Sequence, residues 1–211
     1  MALGRRGFTV TASDASTEMV ALTRARCRDA GLQVSVIESA WSDLTANAGD
    51  ELFDAVLCTG NSIAHCADRD GMIASLKGFQ GVLRPGGILI MDTHYWEQVL
   101  ALGDRVVADP DTVKRDGLSC SRSYRWQCPP YPGQPCTITF ELRFAQRDEP
   151  DKAHAVHLYP FTRSELRGRL RSAGFANIAL DADGSDRYTA TARPLEQNTA
   201  RGDLALRDQR S

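Results

Sequence analysis

Residues 53–65 read FDAVLCTGNSIAH and form the most informative segment of the chain. The first half of the segment is apolar except for Asp54, and it is short enough to be a single strand. Apolar strands of this kind are typically buried on both faces, as in a parallel sheet covered by helices. The polar residues that follow are Gly60, Asn61, Ser62 and His65. Because open α/β sheets bind ligands at the carboxyl ends of their strands, we expect a ligand site here.

The composition is that of a globular domain. The 211 residues are 42% hydrophobic and 25% charged, with a formal net charge of -2. This length predicts one domain, and the near-neutral charge offers no basic surface for nucleic acid or an anionic membrane. No apolar run approaches the roughly 20 residues that span a bilayer, and no apolar stretch of a signal peptide follows the first basic residues. We therefore expect a cytoplasmic protein.

The cysteine pattern invites a metal site but does not support one. Cys120, Cys128 and Cys136 recur every eight residues among six cysteines. Zinc sites usually contain a Cys-x-x-Cys pair or nearby histidines, and neither accompanies these residues. We expect free thiols in a reducing compartment and no metal.

Strand and helix patterns alternate through the first half of the chain. Strand patterns at residues 7–14, 34–37, 54–58 and 87–92 alternate with helix patterns at 16–31 and 69–83, the last ended by Arg84-Pro85-Gly86-Gly87. Ser16 is expected to be the N-cap of the first helix. This rhythm predicts an α/β fold with a Rossmann-like, doubly wound parallel sheet.

The pattern changes in the second half. Residues 117–127 and 136–146 alternate as antiparallel strands do, a third strand is expected at 154–159, and together they predict a β insertion at about residues 115–160. Thr162 and Glu165 have the spacing of a capping box at a helix start. The last strands are expected as an antiparallel hairpin at 176–180 and 188–192. We expect the domain to span residues 1–192 and the polar residues 193–211 to form a disordered tail.

Five positions have a ligand-binding interpretation and a plainer one. Asp14 ends a strand, where a carboxylate can hold a ribose or complement a helix dipole. Trp41 can stack on an adenine or pack in the core. Gly60 permits close approach of a ligand to the backbone or merely makes a turn. Asn61 and His65, four residues apart, can face one cavity, or they are a capping Asn and a surface His.

Together these segments resemble the class I S-adenosylmethionine-dependent methyltransferases. The strongest likeness is to the glycine N-methyltransferase and glycine/sarcosine N-methyltransferase group, in which a C-x-G-N-S-x-A-H segment follows the fourth strand. The resemblance covers residues 3–100 well and 155–192 more loosely. The segments that carry it are Asp14-Ala15-Ser16 with Met19, Ala40-Trp41, FDAVLCTGNSIAH and LRPGGILIMD.

The resemblance implies a cofactor and a set of site residues. The cofactor is S-adenosylmethionine, with S-adenosylhomocysteine as product. The implied cofactor-binding residues are Asp14 at the ribose, the adjacent Ala15, Met19, Ala40 and Trp41 around the adenine, and Thr59 and Gly60 along the methionine moiety. Asn61 and His65 are the implied catalytic residues beside the acceptor, and Tyr159 with Pro160 closes the acceptor pocket.

Two departures from the family pattern affect these expectations. His94 stands where the glycine-methylating group has an Arg that clamps the substrate carboxylate, and His cannot form that bidentate contact. Glycine is therefore a doubtful substrate, and Tyr95 and Trp96 suggest a larger acceptor, aromatic or cationic. The family's first strand and its Asp-x-Gly-x-Gly loop are not in the sequence. We expect an N-terminally truncated domain whose sheet lacks its central strand.

The predicted function is methyl transfer to a small-molecule acceptor, preferably an amine nitrogen. Asn61 is expected to orient the amine and His65 to take its proton; methylation of a hydroxyl stays open, as does a homo-oligomeric assembly. One alternative is a non-catalytic, methyltransferase-like binding or partner domain. The other is a nicotinamide-dependent oxidoreductase, because an acid after the second strand suits that ribose equally.

Overall fold

Along the described part of the chain, helices and strands alternate as far as Ala101, after which five strands, one helix and two more strands follow. The computed structural model describes residues 2–108, 113–115, 118–128, 134–145, 152–182 and 184–195. The helices are α1 (Ala2–Arg5), α2 (Thr17–Asp29), α3 (Leu44–Asn47), α4 (Arg69–Gly81), α5 (Trp96–Ala101) and α6 (Arg163–Ser172), with 3₁₀ turns at Trp41–Asp43 and Ser62–His65. None of the described helices combines the length and the apolar character needed to cross a bilayer.

The strands form three sheets. They are β1 (Thr11–Asp14), β2 (Ser35–Glu38), β3 (Phe53–Cys58), β4 (Leu83–His94), β5 (Arg105–Ala108), β6 (Val113–Arg115), β7 (Leu118–Gln127), β8 (Cys136–Ala145), β9 (Lys152–Leu158), β10 (Phe175–Ala182) and β11 (Arg187–Pro194). β1 and β2 are a parallel pair, and a four-stranded sheet has the order β10-β11-β4-β3. β3 runs parallel to β4, whereas β11 is antiparallel to both β4 and β10. The predicted α/β class and the C-terminal hairpin are confirmed.

β3 differs from its prediction in one respect. It pairs with β4 alone among the described strands, just as β1 pairs with β2 alone. Leu57 in β3 is consequently 49% exposed, although the sequence predicted a strand buried on both faces. A strand with a neighbour on one side only leaves side chains uncovered, which its apolar sequence could not reveal.

Helix α4 connects the β1–β2 pair to the larger sheet. Its Phe79 ring packs edge-on against Trp41, with 5.7 Å between the ring centroids. Helix α4 can approach the Trp41 turn this closely because residue 78 is Gly: a Cβ atom there would overlap the carbonyl oxygen of Trp41. The carboxyl ends of β1 and β2 are therefore held on the core through α4.

The antiparallel sheet has the order β5-β7-β8-β9, with β6 also paired to β7. It contains the three strands that the sequence predicted for the insertion. The backbone N–H of Tyr159, just after β9, donates to the carbonyl of Ala64 at 2.8 Å. This bond joins the sheet to the 3₁₀ turn that follows β3.

Several boundaries differ from the prediction. Residues 84–86 were expected only to end a helix, but they lie within β4, where the β3–β4 register shifts between Phe53 and Ala55. β11 continues to Pro194, and the N–H of Leu195 donates to the carbonyl of Gly174 at 2.8 Å. Residues 193–195 of the predicted disordered tail are therefore part of the fold, and residues 196–211 lie outside the described residues. The predicted caps are confirmed: Ser16 accepts from the N–H of Met19 at 3.2 Å, and Thr162 and Glu165 form a capping box.

Candidate functional site

Asp14 ends β1 with a carboxylate that is partly engaged by its own loop. Oδ1 accepts the N–H of Ser16 at 2.9 Å, and the backbone carbonyl of Asp14 accepts the N–H of Ser39 at 2.9 Å. Among the described residues Oδ2 has no hydrogen-bond partner. This half-buried oxygen remains available to a ligand hydroxyl.

The other residues expected around an adenine surround the ends of β1 and β2. Ala15 follows Asp14 directly, and Met19, in the first turn of α2, is 44% exposed. Ala40 is exposed and begins the 3₁₀ turn with extended backbone. Trp41 is half-buried against Phe79. Trp41 thus packs against a core residue, as its structural interpretation predicts. The side chain of Met19, in contrast, is exposed and can contact a ligand.

The turn after β3 is fixed to the end of β4 by Asp92. Gly60 has φ +77°, and its N–H donates to Asp92 Oδ1 at 2.6 Å. The Asp92 carboxylate also pairs with the Arg187 guanidinium of β11. Thr59 and Gly60 are exposed at this edge. Sequence reasoning gave Asp92 and Arg187 no role; the only available signal was an acid at the end of an apolar strand.

Asn61 is buried and adopts a left-handed backbone conformation with φ 62°. Its Oδ1 accepts two hydrogen bonds from β4, one from the hydroxyl of Thr93 at 2.7 Å and one from the N–H of His94 at 3.2 Å. Because a carbonyl oxygen has two lone pairs, Oδ1 is fully used. Asn61 therefore holds the turn in place, and only its amide nitrogen remains for an acceptor.

His65 and Tyr159 lie on either side of the junction with the antiparallel sheet. His65 is exposed at the end of the 3₁₀ turn, and Tyr159 is half-buried at the end of β9. The bond from the Tyr159 N–H to Ala64 O joins the two segments. The structure thus gathers Thr59, Gly60, Asn61, His65, His94 and Tyr159 at one end of the larger sheet. No described hydrogen bond joins this group to Asp14 or Trp41.

His94 is enclosed by aromatic rings. Its ring centroid is 5.7 Å from that of Trp96 and 5.5 Å from that of Trp126, both edge-on. Nδ1 lies 3.6 Å from Asp186 Oδ2, too far for a hydrogen bond. Burial, with help from the nearby Arg187 cation, lowers the pKa of His94 below its usual value. His94 is therefore a neutral side chain at neutral pH.

Tyr95 and Trp96 do not open the acceptor end. Trp96 is fully buried and also packs on Phe161. The Tyr95 ring contacts Tyr188 and lies 4.4 Å below the guanidinium carbon of Arg163. Both rings are committed to internal packing, so they give no support to the expectation of a larger aromatic or cationic acceptor.

In the described ranges, no three or more His, Cys, Asp or Glu side chains lie close enough together to bind a metal ion.

Comparisons with known proteins show similarity to methyltransferases. Residues 1–87 match the family model described as a methyltransferase domain. Glycine/sarcosine N-methyltransferase of Aphanothece halophytica is 27% identical over 195 residues, which cover 86% of this chain and 63% of that protein. Glycine N-methyltransferase of Rattus norvegicus is 38% identical over 112 residues, covering 48% of this chain and 38% of that protein.

Solved structures agree on the fold. A S-adenosylmethionine-dependent methyltransferase from Clostridium acetobutylicum superposes with a TM-score of 0.72 at 15% identity, covering 92% of this chain and 78% of that one. An amino pentose methyltransferase from Micromonospora echinaspora gives 0.69 at 19% identity, with coverages of 87% and 73%. The chain therefore has the fold of these methyltransferase structures, and its residues 1–87 match a methyltransferase domain. In sequence it is similar to the glycine N-methyltransferase group, and it spans 63% and 38% of the length of the two relatives named above.

Proposed function

We propose that this chain binds S-adenosylmethionine along the carboxyl ends of β1 and β3 and directs its methyl group to the nitrogen of a small-molecule amine. The observation that carries the proposal is the presence of both a free carboxylate oxygen on Asp14 and an open glycine turn after β3 in a chain that matches a methyltransferase domain over residues 1–87. Bound there, the cofactor supplies a methyl group already activated by its sulfonium.

The residues present fit this cofactor. Oδ2 of Asp14 is free to accept from a ribose hydroxyl, which is the role of an acid at this strand end in nucleoside-binding α/β folds. A Cβ atom at Gly60 would meet only the hydroxyl of Ser62, at 3.9 Å. The space over Gly60 is therefore open, and a ligand can approach the backbone closely there.

Amine acceptors are supported by the relatives, which are named as glycine and sarcosine N-methyltransferases. The residues near His94 favour an amine that carries no carboxylate. His94 is neutral, Arg187 is paired with Asp92, and NH1 of Arg105 donates to the carbonyls of Val99 and Gly103. A substrate carboxylate would be bound more weakly here than by the bidentate hydrogen bonds of an unpaired Arg.

His65 is the base that we propose for the acceptor. An amine must lose its proton before its lone pair can attack the methyl group, and an exposed imidazole at the site entrance can take that proton directly or through water. Asn61 contributes by holding the turn through Thr93 and His94. A hydroxyl acceptor would need His65 even more, so O-methylation is the alternative within this proposal.

Calorimetric titration of the chain with S-adenosylmethionine and S-adenosylhomocysteine tests the cofactor site. We expect both to bind and Asp14→Asn to weaken binding by about 10- to 100-fold, the value of a lost hydrogen bond to a charged group. The matched control is Asp181→Asn, which changes an exposed carboxylate on β10 and should leave binding unchanged. If the folded chain binds neither compound, the hypothesis of a non-catalytic binding or partner domain replaces the methyltransferase proposal. Binding of a nicotinamide dinucleotide instead would favour the oxidoreductase hypothesis.

Methyl transfer to a panel of amines tests the acceptor. We expect aminosugars and simple amines to be better acceptors than glycine or sarcosine, and His65→Ala to lower turnover while cofactor affinity stays the same. Preference for glycine would contradict the role assigned to His94.

A further inference from the structure

Two of the regularly spaced cysteines face each other across β7 and β8. The ladder pairs Trp126 with Ile138 and ends with Gln127 opposite Thr137. The next step of the same register sets Cys128 opposite Cys136. Cys128 and Cys136, eight residues apart in sequence, are therefore the next pair of positions in this antiparallel register.

Both thiols lie on the buried face of the sheet. Cys128 is 8% exposed and Cys136 is fully buried, on the same face as Trp126 and Ile138. The two side chains are close enough to form a hydrogen bond with each other, and burial together with this contact raises the pKa of Cys136. The N–H of Cys128 donates to Asp104 Oδ1 at 2.8 Å, which fixes the backbone of the pair.

None of the other cysteines has a cysteine as its cross-strand partner. Cys120 lies in β7 opposite Phe144, and Cys58 lies in β3 opposite Met91. Cys27 is in α2, and Cys66 follows the 3₁₀ turn with its Sγ 3.5 Å from Ser75 Oγ. All six cysteines are free thiols in the structure.

We propose that Cys128 and Cys136 are a modification site that forms a reversible disulfide with a small-molecule disulfide as oxidant. Directly opposed residues of antiparallel strands have Cα atoms about 4.5–5.5 Å apart, within the range of natural disulfides. The reduced pair is held together by packing, so oxidation needs no rearrangement of the sheet.

The reaction occurs in two exchanges. The more accessible Cys128 thiolate attacks a sulfur of glutathione disulfide, which forms a mixed disulfide and releases one glutathione thiolate. Cys136 then loses its proton, attacks the Cys128 sulfur and releases the second glutathione. The protein loses two hydrogen atoms, and one glutathione disulfide becomes two glutathione thiols.

The bond would act on the acceptor end of the proposed site. Trp126, two residues before Cys128, packs against both His94 and Trp96. A disulfide would fix the end of β7 and with it the indole that encloses His94. The thiol pairing is independent of the proposed function, whereas this effect on the acceptor end depends on it.

Thiol counting and peptide mapping after incubation with glutathione disulfide test the pairing. We expect the denatured protein to fall from six free thiols to four, its mass to fall by two hydrogen atoms, and digestion to yield one cross-linked peptide containing residues 128 and 136. Dithiothreitol should restore all six thiols. Because these measurements use the native sequence, no variant has to fold for the test to succeed.

Single serine variants supply the control. Cys136→Ser should stop at a glutathione adduct on Cys128, whereas Cys120→Ser should form the internal disulfide as fully as the native chain. Six thiols that persist in the native protein, stable adducts without an internal bond, or a cross-link to a different cysteine would each overturn the proposal.

Discussion

Asn61, predicted as a catalytic residue, also has a structural role. Its Oδ1 is the acceptor for the hydroxyl of Thr93, which is fully buried, and for the N–H of His94. Asn61→Ala leaves both donors unsatisfied, at a cost of about 1–3 kcal/mol. It also places Ala in a left-handed conformation, which costs about 1 kcal/mol more. Urea unfolding at equilibrium should therefore show a large loss of stability.

Thr93→Val provides the matched partner for this test. It removes one donor and leaves Asn61 Oδ1 its bond to the N–H of His94, so we expect a cost of about 1 kcal/mol. The double variant should be more stable than the sum of the single losses predicts, because both changes remove the same hydrogen bond. Strictly additive losses would show that the two side chains do not interact.

His94 makes stability depend on pH. Burial and Arg187 lower its pKa in the folded state, against the smaller opposing effect of Asp186, and Arg105 also disfavours the proton. The unfolded chain, with an ordinary His pKa of about 6.5, then binds more protons than the folded chain. The contribution of neutral His94 is fully present above the unfolded pKa and is lost as the pH falls below it through the lowered pKa of the folded state.

Urea unfolding across this range, in the native chain and in His94→Gln, checks the prediction. Gln does not titrate, so the variant should lose less stability than the native chain between about pH 7 and about pH 5. Carboxylates titrate in both proteins, so their effect on stability cancels when the two pH dependences are subtracted. Equal losses would mean that His94 is not desolvated in the folded state.

The sequence identified the polar residues of this site better than it identified their roles. Gly60, Asn61 and His65 follow one apolar strand, so a local pattern was sufficient to find them. Arg187 lies 95 residues from Asp92, and only the β11–β4 register brings the two together. The neutral state of His94 likewise depends on Trp126, a residue from a different sheet.

Helix α4 packs closely against the Trp41 turn at Gly78. Ala normally stabilises a helix by about 1 kcal/mol relative to Gly. At Gly78 the added Cβ would overlap the backbone of Trp41, and overpacking of this kind costs about 1–3 kcal/mol. We expect Gly78→Ala to destabilise the protein and to change the fluorescence of Trp41.

Gly168 is the control for helix propensity. It lies in α6, is exposed, and would have nothing within 4 Å of an added Cβ. Gly168→Ala should therefore stabilise the protein by up to about 1 kcal/mol. Thermal unfolding of the two variants should shift in opposite directions; a gain in both would mean that α4 can move away from Trp41 without cost.

The elements that sequence reasoning found have local causes. The capping box at Thr162 and the N-cap at Ser16 need only neighbouring residues, and both are present. The short elements α5, β5 and β6 were missed, because runs of three to six residues carry little periodicity. Residues 84–86 lie in β4 between Leu83 and Ile88, which pair with Phe53 and Ala55 of β3, and no local signal reports that pairing.

Across the whole molecule, the two halves of the site lie on sheets with no described strand pairing between them. β4 has neighbours on both sides, β3 and β11, whereas β1 and β3 each have one. Local opening requires fewer broken hydrogen bonds at such edges. Native-state hydrogen exchange should therefore be slowest in β4 and much faster in β1 and β2; equal protection of β1 and β4 would contradict this view.

A ligand that contacts both sheets should slow hydrogen exchange in both of them. The proposed cofactor contacts Asp14 after β1 and Gly60 after β3, so S-adenosylhomocysteine should slow exchange in both segments together. Binding stabilises the closed form by about 2.7 kcal/mol at 100 times Kd, which corresponds to roughly a 100-fold slowing where opening releases the ligand.

Asp14→Asn at the same ligand concentration separates cofactor binding from general stabilisation. Weaker binding should reduce the slowing at residues 60 and 61 as well as at residue 14, although the substitution lies on the other sheet. Exchange that slows on one sheet alone would mean that the ligand contacts only that sheet. The carboxyl ends of β1 and β3 would then be separate features and not one cofactor site.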